Sequence, residues 1–211
     1  YLEKPVAINY EGLEVIYKNV LKHPNCNKIM VGFNRRYSES IKKLKNSKWL
    51  KNRSKPLEIE YRVNFGKIND NKINDRDIGG GRLHSVACHF IDLICYLVNT
   101  KVKRISAFSV DENNNTFSAL LKFEDESIAS LIFTSEGDRY FKGKEIINIT
   151  AENHNALLID FESLTIDNKK YSFYRRNYGA YNTMLEFLKC KNNSLDTSIS
   201  LKDGIYATQI T

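Results

Sequence analysis

The residues that punctuate or cross-link a chain are scarce: three prolines, four cysteines and ten glycines in 211 residues, with a single tryptophan. So little proline and glycine, beside 42% hydrophobic and 27% charged residues, excludes collagen-like and low-complexity chains. The chain is therefore expected to fold around a core. Cys26, Cys88, Cys95 and Cys190 form no Cys-x-x-Cys pair and no regular metal-ligand spacing, which argues against a disulfide scaffold and a zinc module. They read as reduced thiols of a cytoplasmic protein. Apolar runs are short, as in Leu131-Ile132-Phe133, and the mean hydropathy is −0.45, so no segment approaches the ~20 apolar residues of a membrane span. Acidic residues are outnumbered: 32 Lys+Arg against 25 Asp+Glu give a net charge of +7. That balance suits an anionic partner without choosing among nucleotide, nucleic acid and membrane surface.

What is present is ordered along the chain. Residues 1–8 read as the end of a strand followed by Glu3-Lys4-Pro5, as though the chain continued from an earlier part. Leu13, Ile16, Tyr17, Val20 and Leu21 recur at helical spacing over 10–24, and Pro24 stops the helix. Ile29-Met30-Val31-Gly32-Phe33 follows as a short buried strand, which completes a βαβ unit. A helix is expected over 38–51, with Ser38 as its cap. Beyond residue 57 the pattern alternates with period two over 57–65, 102–110, 116–123, 127–134, 144–151 and 156–161. Polar turns stand at 111–115, 124–127 and 152–155. Six such segments predict an α+β fold with a large, mostly antiparallel open sheet and helices on one face. Further helices are expected at 84–98, 178–190 and 201–211. The boundary is placed near residue 37, between a βαβ remnant of a dinucleotide-binding domain (1–37) and a substrate-binding and oligomerisation domain (38–211).

The helix after Gly79-Gly80-Gly81-Arg82 is apolar around nearly its whole circumference, as a buried helix must be. Its exception is a stripe at i, i+4, i+7 and i+11, occupied by Ser85, His89, Asp92 and Tyr96. A polar stripe on a buried helix is either satisfied internally or opened onto a cavity. His89 and Asp92 could simply bond each other. Alternatively, His89 lines a pocket as an acid/base or orienting group, because imidazole titrates nearest neutral pH. His84, Cys88 and Cys95 share another stripe but lack a fourth ligand, so no metal is expected. The triple glycine follows no apolar strand and reads as a tight entry turn rather than a phosphate cradle.

Three separated motifs, Glu3-Lys4-Pro5, Val31-Gly32-Phe33-Asn34-Arg35-Arg36-Tyr37 and Gly79-Gly80-Gly81-Arg82…Cys88-His89-Phe90-Ile91-Asp92-Leu93, occur in one order. Together they resemble the glucose-fructose oxidoreductase / inositol dehydrogenase (Gfo/Idh/MocA) family. Lys202-Asp203-Gly204-Ile205-Tyr206-Ala207 looks like that family's closing Asp-Gly helix. The resemblance implies a C-terminal portion lacking most of the Rossmann domain, since the sequence holds no glycine-rich pyrophosphate turn. It implies NAD or NADP in the longer protein, with Glu3, Lys4 and Pro5 beside the cofactor and Lys4 between nicotinamide and substrate. His89 matches the active-site histidine, and Arg35 or Arg36 a position near cofactor or substrate. Many family dehydrogenases carry an aspartate four residues before that histidine; here Ser85 stands there, so either Asp92 or a water takes its part, or the substrate chemistry differs from polyol dehydrogenation.

The expected function is hydride transfer between NAD(P) and a hydroxyl carbon of a sugar, cyclitol or nucleotide-sugar. Lys4 and His89 are its catalytic residues, and Arg35, Arg36, Ser85 and Asp92 bind substrate. The chain alone is expected to be inactive. The alternative is a non-catalytic substrate-binding and self-association module. Seven Lys/Arg and no acid lie between Lys42 and Lys55, with Trp49 as the one aromatic, which reads as a solvated face and not as a nucleic-acid surface. A small-molecule substrate, no membrane partner, and a homodimer or higher homo-oligomer through the sheet complete the expectation. Ile132, Phe133 and Ile147 cannot all enter one core, so the sheet should carry an apolar outward face.

Overall fold

In the computed structural model, which describes residues 1–67, 75–110, 115–138, 140–190 and 199–211, all six alternating segments are strands. The elements in order are α1 (Tyr10–Val15), α2 (Glu39–Lys45), α3 (Lys48–Lys51), β1 (Glu58–Asn64), α4 (Arg76–Gly79), α5 (Cys88–Val98), β2 (Val102–Ser109) and β3 (Phe117–Phe123). They continue with β4 (Ile128–Thr134), β5 (Glu145–Ala151), β6 (His154–Ile159), β7 (Ser163–Ile166), β8 (Lys169–Ser172), α6 (Ala180–Lys189) and α7 (Leu201–Ile210). π-helical turns cover Ile16–Val20 and Leu83–Ala87. The turn expected at 111–115 falls outside the described residues except for Asn115. Contacts divide the chain into two compact units: Tyr1–Arg35, Asn69–Leu93 and Ala180–Thr211 form one, Arg36–Ile68 and Ile94–Gly179 the other. A change of unit thus falls between Arg35 and Arg36, and two later segments group with the residues before it.

The second unit is built on one eight-stranded sheet, ordered β2-β3-β4-β1-β5-β6-β7-β8. Only β1 and β4 run parallel, with Glu58 opposite Ile128, and the other pairs are antiparallel. Alternation sets the faces: in β1, Ile59, Tyr61 and Val63 are buried while Glu58, Glu60 and Arg62 are exposed. Phe123 and Phe133 are fully buried, each stabilising by about 1.5–3 kcal/mol relative to exposure. On the covered face α2 packs against β7, burying Ile41 and Leu44. Ser38 caps α2 by accepting from the Ile41 N–H at 3.2 Å.

The single helix expected over 38–51 is two helices. Asn46 leaves the helical conformation, the Ser47 hydroxyl donates to the Leu44 carbonyl at 2.6 Å, and α3 restarts behind it. Nor is the whole basic run solvated. Lys45 Nζ donates to the Tyr96 and Leu97 carbonyls (2.7 and 3.1 Å) and Arg53 to that of Val98, so two half-buried cations satisfy the C-terminal end of α5. Strands β7 and β8 were not expected. They are four residues each and turn through Asp167, whose φ of 51° is left-handed.

The face of the sheet opposite α2 is mixed. Ile132 is 47% exposed and Leu120 52%, whereas Phe133 and Ile147 point inward. Serines and an arginine separate the outward apolar groups: Ile132 stands between Ser118 and Arg62, and Leu120 between Ser106 and Ser130. Strand β2 forms an edge and is exposed along nearly its whole length.

In the first unit the βαβ pattern survives in minimal form, as a parallel bridge between Leu2 and Val31 with α1 between them. Met30 bridges Ser200, and the Val31 N–H donates to the Ile199 carbonyl. Ser200 then starts α7 with a capping box: its hydroxyl accepts from the Asp203 N–H while the Asp203 carboxylate accepts from the Ser200 N–H. The glycine of Asp203-Gly204 has a packing cause. A Cβ at Gly204 would stand 2.5 Å from Val6 Cγ2 and 2.7 Å from Val31 Cγ2, so the helix seats directly on these buried valines.

Candidate active site

Lys4 follows the bridge that fixes Leu2 against Val31, and its peptide bond to Pro5 is cis. Its ammonium donates to the backbone carbonyl of Ser85, 81 residues away in sequence. The local structure of that second segment explains the acceptor. Gly80 and Gly81 adopt φ of +75° and +68°, conformations that favour glycine, and turn the chain into Leu83–Ala87. That turn is π-helical, and a π turn interrupts the i→i−4 ladder. The Ser85 hydroxyl is occupied elsewhere, donating to the Gly81 carbonyl at 2.5 Å. Ser85 therefore meets Lys4 through its main chain and not through its side chain.

In the same unit His89, Arg35, Cys88 and Glu3 each interact electrostatically with Lys4. Phe33 meets the His89 ring edge-on, with centroids 5.9 Å apart, and the Arg35 guanidinium lies 4.7 Å from the Phe90 ring centroid. Arg35 is buried, as are Cys88 and Asp92. Burial lowers the pKa of Lys4; Cys88 and Glu3 oppose that shift and the Arg35 charge reinforces it. Burial also pushes the Cys88 thiol up to about 12, with Asp92 adding to the shift and Lys4 and Arg35 opposing it. The same two cations join burial in holding His89 well below the usual imidazole value. The imidazole is therefore neutral at physiological pH.

His89 keeps some surface as a residue, but its Nδ1 is buried and, among the described residues, has no hydrogen-bond partner. An internal His89–Asp92 bond through Nδ1 is therefore not what satisfies the polar stripe. A buried ring nitrogen left without a partner costs about 1–3 kcal/mol, a penalty removed when a bound molecule supplies one. The ring can donate or accept there according to tautomer.

The other expected site residues are placed as follows. Glu3 is exposed, with its carboxylate near Gly32, where an added Cβ would stand 3.2 Å from Oε2 and 2.7 Å from the Tyr1 hydroxyl oxygen. Pro5 is half-buried. Arg36 belongs to the other unit, where its guanidinium lies 5.0 Å from the Tyr96 ring centroid, so the two consecutive arginines serve different units. His84 Nδ1 is 2.9 Å from the Thr211 hydroxyl. Among the described residues no group of three or more His, Cys, Asp or Glu could hold a metal. Two contributors escaped the sequence reading: the Ser85 carbonyl, which no side-chain pattern reports, and Phe33, whose aromatic character inside a matched motif was the available signal.

Residues 54–152 match the family model of the GFO/IDH/MocA C-terminal domain. That stretch, just under half of the chain, is thus similar to the C-terminal domain of the Gfo/Idh/MocA family. Solved structures agree on the fold across 99% of the chain. An oxidoreductase from Thermotoga maritima superimposes with a TM-score of 0.76 at 14% identity, the chain covering 65% of it. UDP-N-acetylglucosamine 3-dehydrogenase from Acidithiobacillus ferrooxidans gives 0.68 at 15% and 66% coverage. A super-repressor mutant of Gal80p from Saccharomyces cerevisiae gives 0.73 at 16% and 67%. The chain thus spans about two thirds of the length of the structures it matches. No match to a curated protein sequence is found. Because a dehydrogenase and a repressor mutant share this fold, the fold does not by itself assign chemistry. Gfo/Idh/MocA dehydrogenases generally use NAD(P). Lys4 and the unpartnered Nδ1 of His89 fit the reacting end of such a cofactor with its substrate, while the sequence holds no Gly-x-Gly-x-x-Gly turn for a pyrophosphate.

Proposed function

We propose that this chain supplies the substrate side of an NAD(P)-dependent oxidoreductase that acts on a hydroxyl carbon of a sugar, cyclitol or nucleotide-sugar. The observation that carries the reading is the pairing of a half-buried lysine, anchored on the Ser85 carbonyl, with a neutral histidine whose Nδ1 has no partner among the described residues. A nicotinamide ring, when bound, supplies the hydride acceptor or donor. Lys4, its pKa lowered by burial, is suited to take the proton of the reacting hydroxyl as the carbon gives up hydride, and to return it in the reverse direction. Nδ1 of His89 orients the substrate oxygen, and Arg35 sets the positive field of the site. With Ser85 in place of a side-chain carboxylate, a backbone carbonyl holds the ammonium, and proton exchange falls to Lys4 and water. We place the enzyme in the cytoplasm, in keeping with four free thiols. In the longer protein, Lys4→Ala should lower kcat by about 10²–10⁴-fold while NAD(P) binding persists. Unchanged turnover would remove Lys4 from the mechanism.

A second reading rests on the open sheet face. Exposed Leu120 and Ile132, together with Leu157 at 38% exposure, suit face-to-face pairing with a second copy. Sedimentation of the chain should show a concentration-dependent dimer that Ile132→Lys abolishes; a strictly monomeric chain at high concentration counts against it.

A further inference from the structure

The sheet unit holds a cavity of about 630 Å³ to which none of the Lys4–His89 cluster contributes. Its size is that of a small-molecule site. The walls combine aromatic and cationic groups in one place. Trp49 stacks on His154, with centroids 5.4 Å apart and planes inclined by 19°. His154 is itself held, its Nδ1 2.9 Å from an Asp167 carboxylate oxygen. Tyr171 has the Lys43 ammonium 4.7 Å from its ring centroid and that of Lys169 at 5.5 Å. Lys48 lines the same space. Among the described lining residues the one acid is Glu152, whose Oε1 accepts from both the N–H and the hydroxyl of Ser54 at 2.9 and 2.7 Å.

Donors therefore outnumber free acceptors. The Nε1–H of Trp49 is buried without a hydrogen-bond partner among the described residues, a second, independent sign of a donor for which the chain supplies no acceptor. Flat rings on the walls favour a flat body, and the ammonium groups favour negative charge on it. We propose that this cavity binds a small molecule made of a flat ring bearing an oxyanion, carboxylate or phosphate, with the ring against the Trp49–His154–Tyr171 wall and the oxyanion between Lys43 and Lys48.

The chain contains one tryptophan, so Trp49 reports its own site. Titrating the chain with phenyl phosphate under 295 nm excitation should quench this emission saturably. Inorganic phosphate and phenol should each bind at least tenfold more weakly. The double variant Lys43→Gln/Lys48→Gln, altering two exposed side chains, should raise Kd for phenyl phosphate at least tenfold with an unchanged circular dichroism spectrum. Linear, non-saturable quenching would overturn the site. Equal binding of phenol, or undiminished binding by the double variant, would overturn the oxyanion assignment, and equal binding of inorganic phosphate would overturn the flat body.

Discussion

The neutral state of His89 has a thermodynamic signature that the isolated chain can show. In the unfolded chain the imidazole titrates near 6.5, whereas in the folded chain burial, with the Arg35 and Lys4 charges, holds it well below that. Between those two values the unfolded state carries a proton that the folded state refuses. Stability is therefore unaffected above about pH 7 and falls as pH drops through 6.5. One proton of difference corresponds to at most about 1.4 kcal/mol per pH unit, an upper bound here because the ring keeps some surface. His89→Gln removes the titration and leaves the other histidines in place. Urea unfolding at half-unit steps from pH 5 to 8 should give a wild-type curve that steepens on the acid side, with the variant flatter by up to that amount. Subtraction cancels the carboxylates and His84, whose half-buried ring shifts in the same direction. Parallel wild-type and variant curves between pH 5 and 6.5 would refute the neutral, desolvated histidine on which the site depends.

Other consequences of the packing can be measured separately. Gly204→Ala should destabilise the chain by about 1–3 kcal/mol, because the new methyl group meets two buried valines, and Val6→Ala in the same chain should recover part of the loss in a denaturant melt. Ser200→Ala should cost about 0.5–2 kcal/mol by opening the capping box of α7, and Ser200→Asp should restore most of it. The Cys88 thiol, pushed up to about 12, should resist iodoacetamide at pH 8.5 in the native chain while partly exposed Cys26 reacts; peptide mapping that finds Cys88 labelled at the Cys26 rate would contradict its burial.

Strand alternation made most of the sheet legible in the sequence, because a sheet with one covered face must place apolar side chains with period two. The segments 57–65 and 144–151 became β1 and β5 within a residue at each end. What alternation missed had too little length to carry it. Strands β7 and β8 offer four residues each, and the turn residues Asp167-Asn168 were the one local signal for that hairpin. Register and strand order were not readable either. The parallel pairing of β1 with β4 joins residues 70 apart in sequence, Glu58 with Ile128, and no local pattern encodes that distance.

The site divides along the same line between what side chains advertise and what the main chain supplies. Lys4, Arg35 and His89 were legible because each is a titratable group inside an otherwise apolar or motif-bearing stretch. The helical stripe, however, presumed a continuous α-helix through Ser85. The π turn at Leu83–Ala87 breaks that periodicity ahead of Cys88, so spacing counted across residue 85 no longer reports which groups share a face. Ser85 had looked like a weakened aspartate. Its hydroxyl is spent on Gly81 and its carbonyl holds the lysine, so the loss of a carboxylate is offset by a backbone dipole that titrates at no pH. Ser85 thus adds no titratable acceptor to the site while its main chain keeps the anchor for Lys4, and under the proposed function proton exchange falls to the lysine and water.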